Sequence, residues 1–112
     1  MGMKTKLIPD FFDDTVTNET KTSEACNIES AYGISVRVGY SGASLAGTIK
    51  LEASLDSENW EEVSGTSTAV SAAGGSVFYN ISDIFYPFVR LSIQSSNANT
   101  ITATAKIYTK GL

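Results

Sequence analysis

Histidine is absent from this chain of 112 residues, cysteine occurs once and proline twice. Each scarcity excludes something. Without histidine, the usual general acid–base group at neutral pH is missing, and so is the commonest nitrogen ligand for metals. A single cysteine, Cys26, forms no intramolecular disulfide, which fits synthesis in a reducing cytoplasm. With no histidine to raise its thiolate fraction, Cys26 is read as a small buried hydrophobe rather than a nucleophile. Charge is sparse too: 18% of residues, with eight Lys and Arg against twelve Asp and Glu, a net −4. The cations are scattered singly, only Lys4 and Lys6 lying close together, so the clustered positive charge that phosphate backbones require is not there and nucleic acid is not expected as a partner. The uncharged stretch from Thr66 to Ser82 is rich in Ser, Gly, Thr and Ala, too polar to cross a bilayer, and no charged segment leads an apolar one as in a secretory signal.

Catalytic groups are equally thin. The glycines form neither GxGxxG nor GxxxxGK. Asp13-Asp14 and Glu61-Glu62 are adjacent carboxylates, but neighbours on a strand point to opposite faces and do not share a substrate. No motif marks a serine or threonine nucleophile beside a base. The run Asp56-Ser57-Glu58-Asn59 alternates oxygen side chains, which Ca²⁺ favours, but it has too few carboxylates for a cage; a turn capped by Asp56 and Asn59 is the expectation. No enzyme activity, cofactor or metal site is therefore expected. Asn18-Glu19-Thr20 and Asn80-Ile81-Ser82 match glycosylation sequons, read as chance without a secretory signal.

What the chain does have is period-two alternation. In YGISVRVGY, Tyr32, Ile34, Val36, Val38 and Tyr40 fall on one face. In GTIKLEASL the inward set is Ile49, Leu51, Ala53 and Leu55. PFVRLSIQ places Val89, Leu91 and Ile93 opposite Phe88, Arg90 and Ser92, and NTITATAKIYT sets Ile101, Ala103, Ala105 and Ile107 against polar neighbours. One apolar and one polar face per run is the mark of half-buried antiparallel strands. Turn-rich breaks divide the chain into strands at 15–22, 25–30, 32–40, 47–55, 60–63, 66–70, 76–81, 87–94 and 100–109. The fold class that follows is all-β, a single antiparallel β-sandwich, jelly-roll-like, over residues 15–112.

Residues 1–14 form an expected N-terminal arm. Pro9 punctuates it, and Leu7, Ile8, Phe11 and Phe12 are apolar without a periodic pattern. Such an arm either docks on another subunit or folds back as an edge strand. Ser82 to Pro87 also breaks the alternation: Ser82 is placed to cap a single helical turn, with Phe85 and Tyr86 over one open end of the sandwich. Trp60, the only tryptophan, follows a polar turn. It is expected to close one end of the core; the other reading is an exposed platform that stacks on a sugar beside tyrosines.

The stretches GTIKLEASLDSENWEEV, SVFYNISDIFYPFVRLSIQSS and NTITATAKIYTKGL resemble small β-sandwich structural proteins of tailed bacteriophages, of the capsid decoration or cement type. Ser54, Asp56 and Trp60, the run Asp83 to Arg90, and Lys110-Gly111 carry the likeness, over Gly47 to Leu112. The same hairpin and strand are similar to discoidin-like carbohydrate-binding sandwiches. The phage resemblance implies a virion component made in the host cytoplasm, a homo-oligomer partnered by itself and by the major capsid protein, or else a head–tail or tail component. The second resemblance implies a glycan partner. Candidate contact residues are Leu7, Ile8, Phe11, Phe12, Trp60, Phe85, Tyr86 and Arg90. For Arg90 an ion pair with an acidic neighbour such as Asp83 competes with an intersubunit contact.

Overall fold

In a computed structural model, the structure describes residues 5–28, 31–82, 84 and 86–111. Ten strands run in chain order: β1 (Thr5–Thr17), β2 (Thr20–Thr22), β3 (Cys26–Asn27), β4 (Ala31–Ser41), β5 (Gly47–Ser54), β6 (Glu61–Glu62), β7 (Thr68–Ala69), β8 (Gly74–Ser82), β9 (Phe88–Ser95) and β10 (Thr100–Gly111). They make two antiparallel sheets. Sheet A has the order β1-β10-β4-β8; sheet B is built on β2-β9-β5-β6, with β3 on β9 and β7 on β5. The expected antiparallel sandwich is what forms.

Alternation supplies the core. Val36 and Val38 of β4 and Ile101, Ala103, Ala105 and Ile107 of β10 face Ile49 and Leu51 of β5 and Val89, Leu91 and Ile93 of β9 across the two sheets, all buried. At about 1.5–3 kcal/mol for each fully buried aliphatic side chain, this layer is the main drive to fold. Cys26, opposite Val89, is buried with it. Buried hydroxyls are satisfied locally. The Tyr79 hydroxyl donates to the Ile49 carbonyl at 3.1 Å, and the Tyr40 hydroxyl accepts from the Ser71 N–H at 2.8 Å.

Of the two roles expected for the N-terminal segment, the structure shows the edge strand. β1 is an edge strand on β10 and runs unbroken through the boundary placed between residues 14 and 15. Its pairing explains why the sequence hid it. Ile8 lies opposite Ile107 and Phe12 opposite Ala105, four residues against two, so a bulge absorbs two extra residues around Pro9. Proline has no N–H to give a ladder and is tolerated at such a bulge. The bulge brings both members of an adjacent pair inward: Phe11 is 7% exposed and Phe12 5%. The apolar residues assigned to a docking arm are therefore mostly this domain's own core. Leu7 alone of the four stays well exposed, at 57%, and Ile8 is half-buried.

The expected strand 15–22 is divided by a bend at Asn18, whose φ of 47° lies in the left-handed region. The bend carries the chain from sheet A to sheet B. Beside it, Asp14 of β1 and Lys21 of β2 pair at 3.3 Å across the open side of the sandwich. Charges at these edge positions also discourage strand-to-strand aggregation. Ser82 ends β8; of the expected helical turn after it, Asp83 and Phe85 lie outside the described residues, and no helix occurs among those described.

Candidate interaction surfaces

The proposed contact residues do not gather into one site. Phe11 and Phe12 are core, Leu7 is on the β1 edge, Phe85 lies outside the described residues, and Trp60, Tyr86 and Arg90 flank the hairpin that joins β5 to β6.

That hairpin is built on Asp56. Its Oδ1 accepts from the N–H groups of Glu58 and Asn59 and from the Ser54 hydroxyl, each at 2.9 Å, and its Oδ2 accepts from the Asn59 amide at 2.8 Å. The Ser54 oxygen in turn accepts from the Ser57 N–H at 2.8 Å. These donors, the Asn59 N–H first, hold the Asp56 carboxyl far below the usual carboxylate range. Asp56 thus caps the turn as expected, whereas Asn59 bonds to Asp56 with its side chain rather than to a backbone amide. Among the described residues no group of three His, Cys, Asp or Glu side chains is placed to hold a metal ion.

The turn also overturns one alternation assignment. Leu55, expected inward, is 77% exposed. Ser54 has already turned its hydroxyl into the capping network, so the period-two pattern ends one residue early. Leu55 lines a cleft of about 740 Å³ with Ala53, Glu61, Val63, Ile81 and Tyr86. The Tyr86 hydroxyl is buried there with no hydrogen-bond partner among the described residues, and burial pushes its pKa up.

Trp60 is not a core plug. The β5–β6 pairing sets Glu62 opposite Glu52, and Arg90 of β9 also lies opposite Glu52. All three side chains are on the outer face of sheet B, and the indole stands over the Arg90 guanidinium, 4.3 Å from its carbon to the ring centroid. Arg90 Nε donates to Glu52 Oε1 at 2.7 Å. The arginine is therefore fixed by an ion pair, but with Glu52, a cross-strand neighbour that sequence separation conceals. Lys50 Nζ lies 3.9 Å from Glu52 and 3.8 Å from Glu62. The like-charge pair Glu52–Glu62, directly opposite on adjacent strands, is thereby neutralised from within.

The outer face of sheet A contrasts with this. Register places Phe78, Arg37 and Lys106 side by side on β8, β4 and β10. Phe78 is 66% exposed, and Leu7, Tyr32 and Tyr108 are exposed as well. Tyr32, Tyr108 and Lys110 border a shallower cleft of about 300 Å³ over Gly33. Of the five tyrosines, Tyr40 and Tyr79 are buried, Tyr32 and Tyr108 belong to this second cleft, and Tyr86 to the first. None of them shares with Trp60 the outer face of sheet B.

No family model matches the chain, and no curated protein matches it. Solved structures do. The SPBc2 prophage-derived protein YomS is similar with a TM-score of 0.62 at 14% identity, over 99% of this chain and 96% of that one. The PBSX exported protein XepA gives a TM-score of 0.64 at 14% identity, over 96% of this chain and 37% of that one. A Clostridium thermocellum endo-1,4-beta-D-xylanase, its CBM22-1 and GH10 modules complexed with xylohexaose, gives 0.58 at 12% identity, over 96% of this chain and 25% of that one. At such identities the likeness is one of fold, and one fold hosts unrelated functions.

Proposed function

We propose that this chain is a non-catalytic structural protein of a bacteriophage particle, acting as a decoration or cement protein on the capsid. The observation that carries the reading is the near end-to-end correspondence with a prophage-derived protein of almost the same extent, 99% of one chain on 96% of the other. The partners are the major capsid protein and other copies of this chain, and the location is the virion, assembled in the host cytoplasm. The mechanism is multivalent. A rigid sandwich presents exposed apolar and charged side chains on several faces, and many copies on a symmetric lattice turn weak contacts into avidity. A head–tail or tail component would use the same surfaces in a ring.

The glycan-binding reading draws on the fold shared with the xylanase modules. Against it, the Trp60 ring is stacked on Arg90 and the tyrosines lie on other faces. The test is quantitative mass spectrometry of gradient-purified particles from the phage or lysogen that encodes the chain. The expected result is a particle component in tens to hundreds of copies, roughly in proportion to shell subunits. Absence from purified particles, with the protein abundant in the lysate, would overturn the proposal.

A further inference from the structure

Among the described residues, two like-charge pairs sit directly opposite one another on adjacent strands, an arrangement that costs stability unless a counter-charge is supplied. Glu52–Glu62 receives its counter-charge from Lys50 and Arg90. Arg37–Lys106, on the outer face of sheet A, receives none: neither side chain forms an ion pair among the described residues. On the neighbouring β1, Asp10 lies in the bulge that faces Lys106 and Asp13 lies opposite Thr104, and neither forms an ion pair with the two cations among the described residues. Beside the two cations, Phe78 is an exposed phenyl ring in register with Arg37. This positive, aromatic patch belongs to a chain of net charge −4; without Arg37 and Lys106, the remaining 6 cations and 12 carboxylates would sum to −6.

The complement of that patch lies on the same molecule, at the other sheet. The β5–β6 hairpin exposes Leu55 and, close by, Glu58 and Glu61, which form no ion pair among the described residues; Asp56 is consumed by the turn and Glu62 by Lys50. We infer that the hairpin tip of one copy docks on the outer face of sheet A of a second copy, Glu58 and Glu61 meeting Arg37 and Lys106 while Leu55 covers Phe78. Two different patches meet, so the contact is heterologous: the copy that gives its tip keeps a free face, the copy that gives its face keeps a free tip, and repetition closes a ring or extends a row. The inference deepens the particle reading and rests on it for its setting; the contact itself stands on charge and register.

The experiment is sedimentation velocity over a concentration series, at about 50 mM and 500 mM salt, where surface charge pairs are weakly and strongly screened. The wild type is expected to associate beyond a dimer at low salt and to dissociate at high salt. Arg37→Glu with Lys106→Glu, and separately Glu58→Lys with Glu61→Lys, each weaken association on the order of 100-fold, since like-charge juxtaposition across an interface costs several kcal/mol. The quadruple reversal restores it. Arg37→Glu alone gives a second readout: it places a glutamate opposite Lys106, so the Tm of the monomer rises while association falls. Leu55→Ser and Phe78→Ser, at exposed positions, weaken association without reversing charge and guard against a folding defect in the charge variants.

A wild type that stays monomeric at low salt overturns the contact while leaving incorporation into particles, read by mass spectrometry, as it stands. A monomeric wild type that binds poly-glutamate through Arg37 and Lys106 overturns it in favour of a different acidic partner. Association that survives both double reversals, or a quadruple variant that fails to recover, shows that the two patches do not meet and also overturns it.

Discussion

Replacing Phe12 by alanine separates an arm that reaches out from a strand that completes its own domain. Phe12 is 5% exposed and packs in the core opposite Ala105. Removing a buried phenylalanine ring costs about 3–5 kcal/mol in transfer and cavity terms. A domain of this size holds roughly 5–15 kcal/mol in all, so the loss is a large fraction of the total. At about 4 °C per kcal/mol, between the values for smaller and larger domains, the expected fall in Tm is roughly 12–20 °C. Leu7→Ala, on the same strand but exposed, stays within about 0.5 kcal/mol of wild type. A chain beginning at Thr15 loses both phenylalanines and most of the β1–β10 ladder, a loss comparable with the whole stability, and is expected not to fold. Thermal unfolding followed by circular dichroism, with near-ultraviolet spectra for side-chain packing, reads all three. A chain starting at Thr15 with native spectra and a near-native Tm would refute the reasoning and restore the docking arm.

Other consequences are local. Gly47 has φ near +152°, and a β-carbon there would stand 1.8 Å from the Gln94 carbonyl oxygen, so Gly47→Ala is expected to cost at least about 1–3 kcal/mol from backbone conformation alone; urea unfolding checks it, and a neutral result would mean that the β5–β9 approach is looser than described. Arg90→Ala should cost about 1–2 kcal/mol for a half-buried, charge-assisted bond and move Trp60 emission to the red, while unchanged emission would contradict the stacking on Arg90. Asp56 is held low by backbone donors, so its carboxylate stabilises the fold above the ordinary aspartate range and the contribution is lost as pH falls through and below it. The stability difference between wild type and Asp56→Asn, from urea titrations, should therefore shrink below about pH 4; a difference constant with pH would refute the assignment.

Most of the architecture was legible because period two is a direct consequence of a half-buried strand. The runs around Val36, Leu51, Leu91 and Ala103 could be read as strands and their faces assigned, and β4, β5, β9 and β10 begin and end within two residues of those readings. The β1 strand was legible only as one of two alternatives, because its bulge interrupts the period at Pro9 and turns two adjacent phenylalanines the same way. Only the register against β10 reveals that. Leu55 was misassigned because a side-chain capping network, not alternation, governs the residues after Ala53. The candidate surfaces were the least legible part. Glu52, Lys50 and Arg90 are a cluster only once β5, β6 and β9 are aligned, and the Arg37–Lys106 pair only once β4 and β10 are. Scattered cations in the sequence became a patch through pairing between strands 69 residues apart, a distance that alternation within one strand does not bridge.

The central claim is that this sandwich binds the shell of a phage particle. The most direct measurement adds the purified chain to particles made without its gene, then images them by cryo-electron microscopy. The account predicts saturable density at symmetry-related positions on the capsid surface, with a copy number fixed by the lattice. Particles that remain bare at saturating concentration, or density confined to no repeated position, would contradict it.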